Sequence, residues 1–584
     1  MVFFLEDARG VRLPMRWLRN GGALSRADVI VFLLLAAAAI LAAHGAEEMR
    51  EPLTGLQFAA VTLDPARLPE YALRTTLRML AALAASLVFT FTVATLAAKS
   101  RKAELVIVPA LDILQSVPVL GFLTFTVTLF MGLFPGRQLG VEGAAIFAIF
   151  TSQAWNMAFS FYQSLRAVPA DLDEVSRQFG FSPWRRFVRL ELPFAMPGLV
   201  WNMMMSMSGG WFFVVASEAI TVGNTTVTLP GIGSWLSLAI AREDFGAMGL
   251  AVTAMAAVIA LYDQLLFRPV VAWADKFRFE QTASQARPRS WLYDLLRQIA
   301  WLRLIPSAIA WPFRRLAARG RAKLPALWPI RIGRGVDRAI DRLWTGLVLM
   351  ATAGALWLLI DFIGKELSWR DGLTVFGLGF ATMIRVSVLI AIASLIWVPA
   401  GVWIGLRPVW AERLQPVAQF LAAFPANVLF PFAVMGILAL HLDPDIWLSP
   451  LMVLGTQWYI LFNVIAGTSA IPTDMKEAGR IFGIRGWQWW RQIGLPAIFP
   501  YYVTGALTAS GGSWNASIVA EAVSWGDKHL EAAGLGSFIA RATADGDYPR
   551  VALGILVMSI FVITFNRALW RPMYRFAERR LRLD

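Results

Sequence analysis

Apolar side chains occur along this chain in long blocks. Residues 29–43 read VIVFLLLAAAAILAA, without a charge. Comparable blocks follow at 77–98, 105–134, 140–162, 196–217, 247–267, 343–363, 382–406, 414–440, 447–468, 498–520 and 549–566. A helix needs roughly 20 apolar residues to cross the hydrocarbon core of a bilayer. The pattern therefore predicts an all-α polytopic membrane protein of about twelve spans. Proline interrupts the blocks near 112 and 420, which predicts broken or kinked helices there. The first block follows a mixed stretch without a small-residue cleavage site and reads as a retained span, not a signal peptide.

Two polar islands break the pattern. Residues 174–193 read EVSRQFGFSPWRRFVRLELP, and 477–496 read EAGRIFGIRGWQWWRQIGLP. They are copies of one another. Pairing residue i with i+303 aligns Pro169/Pro472, Asp171/Asp474, Glu174/Glu477, Arg177/Arg480, Phe179/Phe482, Gly180/Gly483, Trp184/Trp487, Leu192/Leu495 and Pro193/Pro496. The register continues through Pro197/Pro500, Gly209/Gly512, Trp211/Trp514 and Glu218/Glu521. Upstream, an offset of 307 pairs Thr75/Thr382, Arg78/Arg385, Pro109/Pro416 and Pro118/Pro425. Each half then holds about six spans, and an even number gives both halves the same orientation, a parallel repeat. The expected domains are 1–277, a basic linker at 278–335, and 336–584. Within the linker, WLYDLLRQIAWLRL has an amphipathic pattern suited to the membrane surface.

Composition supports this reading. Of 584 residues, 57% are hydrophobic and 16% charged, against about 25% charged in soluble domains. Net charge is +14, and basic residues crowd 268–342, the Lys99–Lys102 turn and the tail from Arg567 to Arg582. Beside spans, such residues mark the cytoplasmic side and anionic lipid rather than nucleic acid, so both termini are expected to be cytoplasmic. There is no cysteine, which excludes thiolate chemistry and disulfides. His44, His441 and His529 are far apart, and no metal site is expected. The chain has neither a G-x-x-x-x-G-K-[ST] phosphate loop nor H-E-x-x-H, and no catalytic residues are assigned.

The repeated island has a local physical reading. Asp171 can cap a short helix with Glu174 three residues on, a capping-box arrangement, and Asp474/Glu477 repeat it. Gly180 and Gly483 fall where a helix can end in a left-handed residue. Ser182-Pro183 can then restart a helix. Leu192-Pro193 and Leu495-Pro496 are expected to break the chain before the next span. A matched pair of such units on one side suits a paired docking partner.

Some residues sit awkwardly in lipid. Glu218 and Glu521, at the ends of the fifth spans, are functional candidates because burying a carboxylate is costly; pairing with Arg242 or Arg541, or helix capping, would also explain them. Arg78 and Arg385 are candidates for an anion path, or could snorkel to the interface. Pro118 and Pro425 would break the third spans and let unwound backbone line a cavity.

The spacing E-x-x-x-x-x-G-x9-[IL]-x-L-P resembles the EAA loop of binding-protein-dependent ABC importer permeases. Glu174, Gly180, Leu190, Leu192 and Pro193 fit it, as do Glu477, Gly483, Ile493, Leu495 and Pro496. Val175-Ser176 and Ala478-Gly479 stand where that family usually has two alanines. Glu218-Ala219 and Glu521-Ala522, followed by Gly231–Gly233 and Gly534–Gly536, resemble the nitrate/sulfonate/taurine group. The resemblance implies two type I importer transmembrane domains of six helices fused in one chain, in a bacterial inner membrane. It implies that Asp171, Glu174, Gly180, Leu192 and Pro193, with Asp474, Glu477, Gly483, Leu495 and Pro496, couple the permease to two cytoplasmic ATP-binding subunits. ATP and Mg would bind those subunits, this chain would carry no cofactor, and an external binding protein would deliver a small anion such as nitrate, a sulfonate or bicarbonate. The alternative is a proton-coupled secondary carrier built from two parallel six-span repeats.

Overall fold

A computed structural model of the protein describes residues 61–115, 119, 121, 123–135, 137–222, 225–277, 290–298, 334–525 and 528–580. The apolar block 29–43, most of the linker and Pro118 lie outside the described residues.

The first half runs α1 (Pro65–Lys99), α2 (Arg101–Leu114), α3 (Leu123–Leu133), α4 (Gln138–Arg166), α5 (Ala170–Gln178) and α6 (Pro183–Glu218). A hairpin of β1 (Ala219–Val222) and β2 (Thr225–Thr228) follows, then α7 (Ile232–Ala241) and α8 (Phe245–Phe277). α9 (Trp291–Gln298) is the described part of the amphipathic linker. The second half runs α10 (Arg334–Gly364), α11 (Trp369–Gly405), α12 (Pro408–Ala423), α13 (Phe430–Ala439), α14 (Pro444–Leu454), α15 (Gln457–Ser469), α16 (Thr473–Ile481) and α17 (Leu495–Ala520). β3 (Ala522–Trp525), β4 (Lys528–Glu531), α18 (Leu535–Ala544) and α19 (Tyr548–Ala577) close it. Both halves lie in one compact unit.

Six described helices are long and apolar enough to cross a membrane, or up to eight if each of two bent pairs is one span. The count, made on the described residues alone, falls below about twelve partly because block 29–43 lies outside them and partly because spans are bent or carry polar residues. The second half's third span bends by 81° between Val417–Ala423 and Ala426–Ala439, and the fourth by 42° between α14 and α15. α4 is long enough at 29 residues, but Glu142, Thr151 and Gln153, which it turns into the protein, make it less apolar overall. On α10, Leu349, Met350, Trp357 and Leu358 are all more than half exposed. A helix apolar on its uncovered faces has lipid as its solvent.

The duplication is visible in detail. Both hairpins pair in the same antiparallel register, Ala219 with Thr228 and Ala522 with Glu531. Asp244 and Asp547 each cap the next span, accepting from Ala247 N and Arg550 N at 3.0 Å. The preceding turn needs a left-handed residue in both copies, and Glu243 (φ 53°) fills it in one, Gly546 (φ 69°) in the other.

The Leu-Pro breaks expected before the fifth spans are not breaks. A π-helical turn at Phe187–Glu191 carries the helix straight into Leu192-Pro193, and Trp490–Gly494 does the same before Leu495-Pro496. Asp263–Phe267 and Asn566–Trp570 precede Pro269 and Pro572 in the same way. Proline removes an N–H and crowds the carbonyl one turn back; one extra residue in the turn relieves both without ending the helix.

Candidate functional site

The two projecting units match in backbone geometry. α5 and α16 each start after a proline, Pro169 or Pro472, which occupies the N-cap position. Asp171 and Asp474 therefore do not cap. They lie inside the first turn, where a carboxylate still favours the helix dipole. Both helices end in a Schellman motif around a left-handed glycine. Phe181 N donates to Ser176 O and Gly180 N to Arg177 O (3.1 and 2.9 Å), with Gly180 at φ 67°. Ile484 N donates to Gly479 O and Gly483 N to Arg480 O (2.9 and 3.2 Å), with Gly483 at φ 66°. Ser182 caps the restart by accepting from Arg185 N at 3.3 Å, with Pro183 at the first position. In the second copy Gly486 begins the restart without a side-chain cap.

Packing at the second position after each glutamate explains the small residues there. Ser176 and Gly479 are buried, and a Cβ on Gly479 would meet Ile493 at 2.7 Å. Glu174 and Glu477 are exposed, as are Phe179, Trp184, Phe482 and Trp487, each about 70% or more. Four large apolar side chains thus stand on the polar islands.

The units are anchored differently. In the first, Arg186 reaches Asp173 (3.1 Å) and Glu191 (3.2 Å), and Glu191 also takes Lys99 at the end of α1. In the second, Lys476, Trp489 and Gly494 stand at the positions of Asp173, Arg186 and Glu191. The Trp489 ring closes over Gly494, where a Cβ would meet it at 2.5 Å. Partial burial lowers the Lys476 ammonium below the usual lysine range.

At the far ends of the fifth spans, the isolated charges prove to be partners. Glu218 accepts from Thr75 Oγ1, Arg78 Nη1 and Gly233 N, each at 2.7 Å. Arg78 also forms a two-point pair with Glu142 (2.6 and 2.7 Å) and donates to Pro230 O at 2.9 Å. Arg78 and Glu218 are fully buried, so Arg78 does not snorkel. In the twin, Glu521 accepts from Thr382 Oγ1 (2.9 Å), Arg385 Nη1 (3.2 Å) and Gly536 N (2.7 Å). Arg385 there reaches Asp445 (3.1 Å), whose side chain is 54% exposed. Arg541 pairs with Glu531 instead. The glycine pairs make room: a Cβ on Gly231 or Gly534 would sit 2.3 Å from the glutamate carboxylate. Each clasp ties α1 or α11 to the hairpin that follows the fifth span.

A cavity of about 260 Å³ opens between the halves. Thr151, Ser152, Asn156, Ser206 and Ser208 line one side; Thr456, Tyr459, Ser510 and Asn515 line the other. Arg78, Glu218, Arg385 and Glu521 are not among its walls. Pro425 lies in the 81° break, between the lining residues Phe424 and Ala426. Hydrogen bonds cross the cavity region, from Val119 N to Asn515 Oδ1 at 2.8 Å and between Ser208 and Tyr459. Glu142, Asp445 and the neutral cavity residues were not singled out by sequence reasoning. Glu142 could have been, as a carboxylate inside an apolar block.

Two like halves of membrane-length helices, closed around one cavity, define a duplicated polytopic membrane protein. The chain belongs to the family described as "Binding-protein-dependent transport system inner membrane component", which matches it twice, at 86–268 and 397–582, more than half its length. It is 27% identical over 186 residues to "Nitrate import permease protein NrtB" of Leptolyngbya laminosa, covering 32% of this chain and 63% of that relative. It is 26% identical over 205 residues to "Bicarbonate transport system permease protein CmpB" of Synechococcus elongatus, covering 35% and 68%. It is 32% identical over 149 residues to "Glycine betaine/proline betaine transport system permease protein ProW" of Escherichia coli, covering 26% and 38%. The role these findings support is that of a permease.

Proposed function

We propose that this one chain supplies both halves of the translocation pathway of an ATP-driven importer for a small anion of the nitrate or bicarbonate kind. The observation that carries the reading is the matched pair of projecting units, each a short helix closed by a Schellman glycine and crowned by exposed aromatics. A docking groove on a partner would cover Phe179/Trp184 and Phe482/Trp487, burying apolar surface now exposed. The partners are two cytoplasmic ATP-binding subunits, which hold ATP and Mg, and an external substrate-binding protein. Asp171, Glu174, Gly180, Leu192 and Pro193, and their twins Asp474, Glu477, Gly483, Leu495 and Pro496, form and anchor the coupling units. The basic loops support a cytoplasmic position for these units and for both termini. Arg78, Glu218, Arg385 and Glu521 serve the path indirectly, by holding its outer hairpins. The substrate class rests on the nitrate and bicarbonate relatives.

The test is uptake of labelled nitrate or bicarbonate into proteoliposomes holding the chain, its ATP-binding subunits and its binding protein. ATP-dependent uptake insensitive to a protonophore supports the proposal. Uptake by the chain alone, abolished by the protonophore, would establish the secondary carrier instead.

A further inference from the structure

Among the described residues, the cavity between the halves carries no Lys, Arg, His, Asp or Glu on its walls. Most of its polar groups with described bonds are engaged by the protein. Ser208 bonds Tyr459, Asn515 accepts from Val119 N, and Thr456 pairs with Ser513 at 2.9 Å. Thr151 and Ser152 donate to carbonyls of their own helix at 2.9 and 2.6 Å. Ser206 differs. It is 4% exposed, it lines the cavity, and its Oγ has no hydrogen-bond partner. A serine inside a helix ordinarily bonds back to the preceding turn, and a buried hydroxyl left unpaired is destabilising.

The duplication shows that the fold does not need this hydroxyl. The twin of Ser206 is Ala509, fully buried at the same place in the fifth span of the other half. A hydroxyl present in one copy, absent in the other and unpaired at a cavity wall is a group kept for something that enters the cavity. Asn156, exposed on α4, brings an amide donor to the same cavity.

We propose that Ser206 and Asn156 form a transient binding site for a small oxyanion inside the permease, held by neutral hydroxyl and amide donors without a counter-charge. The site rests on the small-anion reading given above. An acceptor-rich solute satisfies an unpaired O–H directly, whereas a bare cation finds no carboxylate here. Neutral donors also hold an anion weakly enough to let it go, which a transport path requires. Among the unpaired buried groups on these walls, the one hydroxyl belongs to the first half.

The experiment is thermal unfolding of the full chain in nanodiscs, titrated with sodium nitrate at ionic strength held constant with sodium chloride. Nitrate is expected to raise Tm with saturation. Ser206→Ala should move two readouts in opposite senses: Tm without nitrate rises, because an unpaired buried hydroxyl is removed, and the nitrate midpoint rises threefold or more. Asn156→Ala should raise the midpoint similarly. The proposal is overturned by a linear, non-saturating nitrate response, by a midpoint within twofold of wild type in Ser206→Ala, or by a lower Tm in that variant without nitrate. It is equally overturned by a saturating response to glycine betaine with none to nitrate. Any of these results alongside intact ATP-driven anion uptake removes the site and leaves the permease reading standing.

Discussion

Arg78 and Glu218 lie 140 residues apart in the chain and meet at 2.7 Å with both side chains fully buried. Neither charge is tolerable there alone. Breaking a buried pair by removing one partner costs about 3–5 kcal/mol, because the other charge stays behind. Arg78→Met is therefore expected to lower the Tm of the chain in nanodiscs sharply, stranding both Glu142 and Glu218. Arg385→Met should lower it less, since Asp445 is half exposed and can turn to water. Equal losses from the two variants would contradict the described difference between the clasps.

The clasps also fix which glycines tolerate a side chain. A Cβ on Gly231 or Gly534 would lie 2.3 Å from a carboxylate, while Gly249 has nothing within 4 Å. Overpacking costs typically about 1–3 kcal/mol, so Gly231→Ala and Gly534→Ala should each lower Tm. Gly249→Ala, within α8, should hold or raise it, since Ala favours a helix by about 0.5–1 kcal/mol over Gly. Thermal unfolding of the three variants under one set of conditions checks the order.

Gly180 and Gly483 have open space around them, and only their positive φ demands glycine. Alanine in the left-handed region costs roughly 1–2 kcal/mol. That strain falls on an exposed turn, so Gly180→Ala should barely change global unfolding. It should nevertheless lower anion uptake per ATP hydrolysed, because the unit's two helices meet at that turn. Parallel measurements of uptake and hydrolysis in proteoliposomes decide it.

Glu191 links the first unit to α1 through Lys99, and the second unit has Gly494 in its place. Glu191→Gln removes the charge that holds both Lys99 and Arg186. The ATP-binding subunits should still copurify, and uptake per ATP should fall several-fold. Lys99→Met should reproduce the defect. Unchanged uptake in both variants would show that the brace transmits nothing.

The repeat was legible because its marks are rare residue types at fixed offsets: Trp184/Trp487, Pro193/Pro496 and Gly180/Gly483 have few accidental equivalents. The left-handed glycines followed from their place after a short polar helix. Other features depend on information that spacing does not carry. Asp171 sits where a cap is plausible, but Pro169 starts the helix earlier and takes that position. Leu192-Pro193 reads as a break because the sequence does not display the extra residue that a π turn inserts before it. The Arg78–Glu218 pair joins distant helices, and no local period specifies which charge meets which. The cavity's described walls carry no charged residue, so the charged positions in the sequence do not point to it.

Two docking units of equal standing on one chain would each hold one ATP-binding subunit. Native mass spectrometry of the full chain with its ATP-binding subunit measures this directly. Two subunits should bind per chain, one when Trp184→Asp or Trp487→Asp disables a single unit, and none when both are changed. One subunit per chain in the unaltered protein, or two bound despite both substitutions, would contradict it.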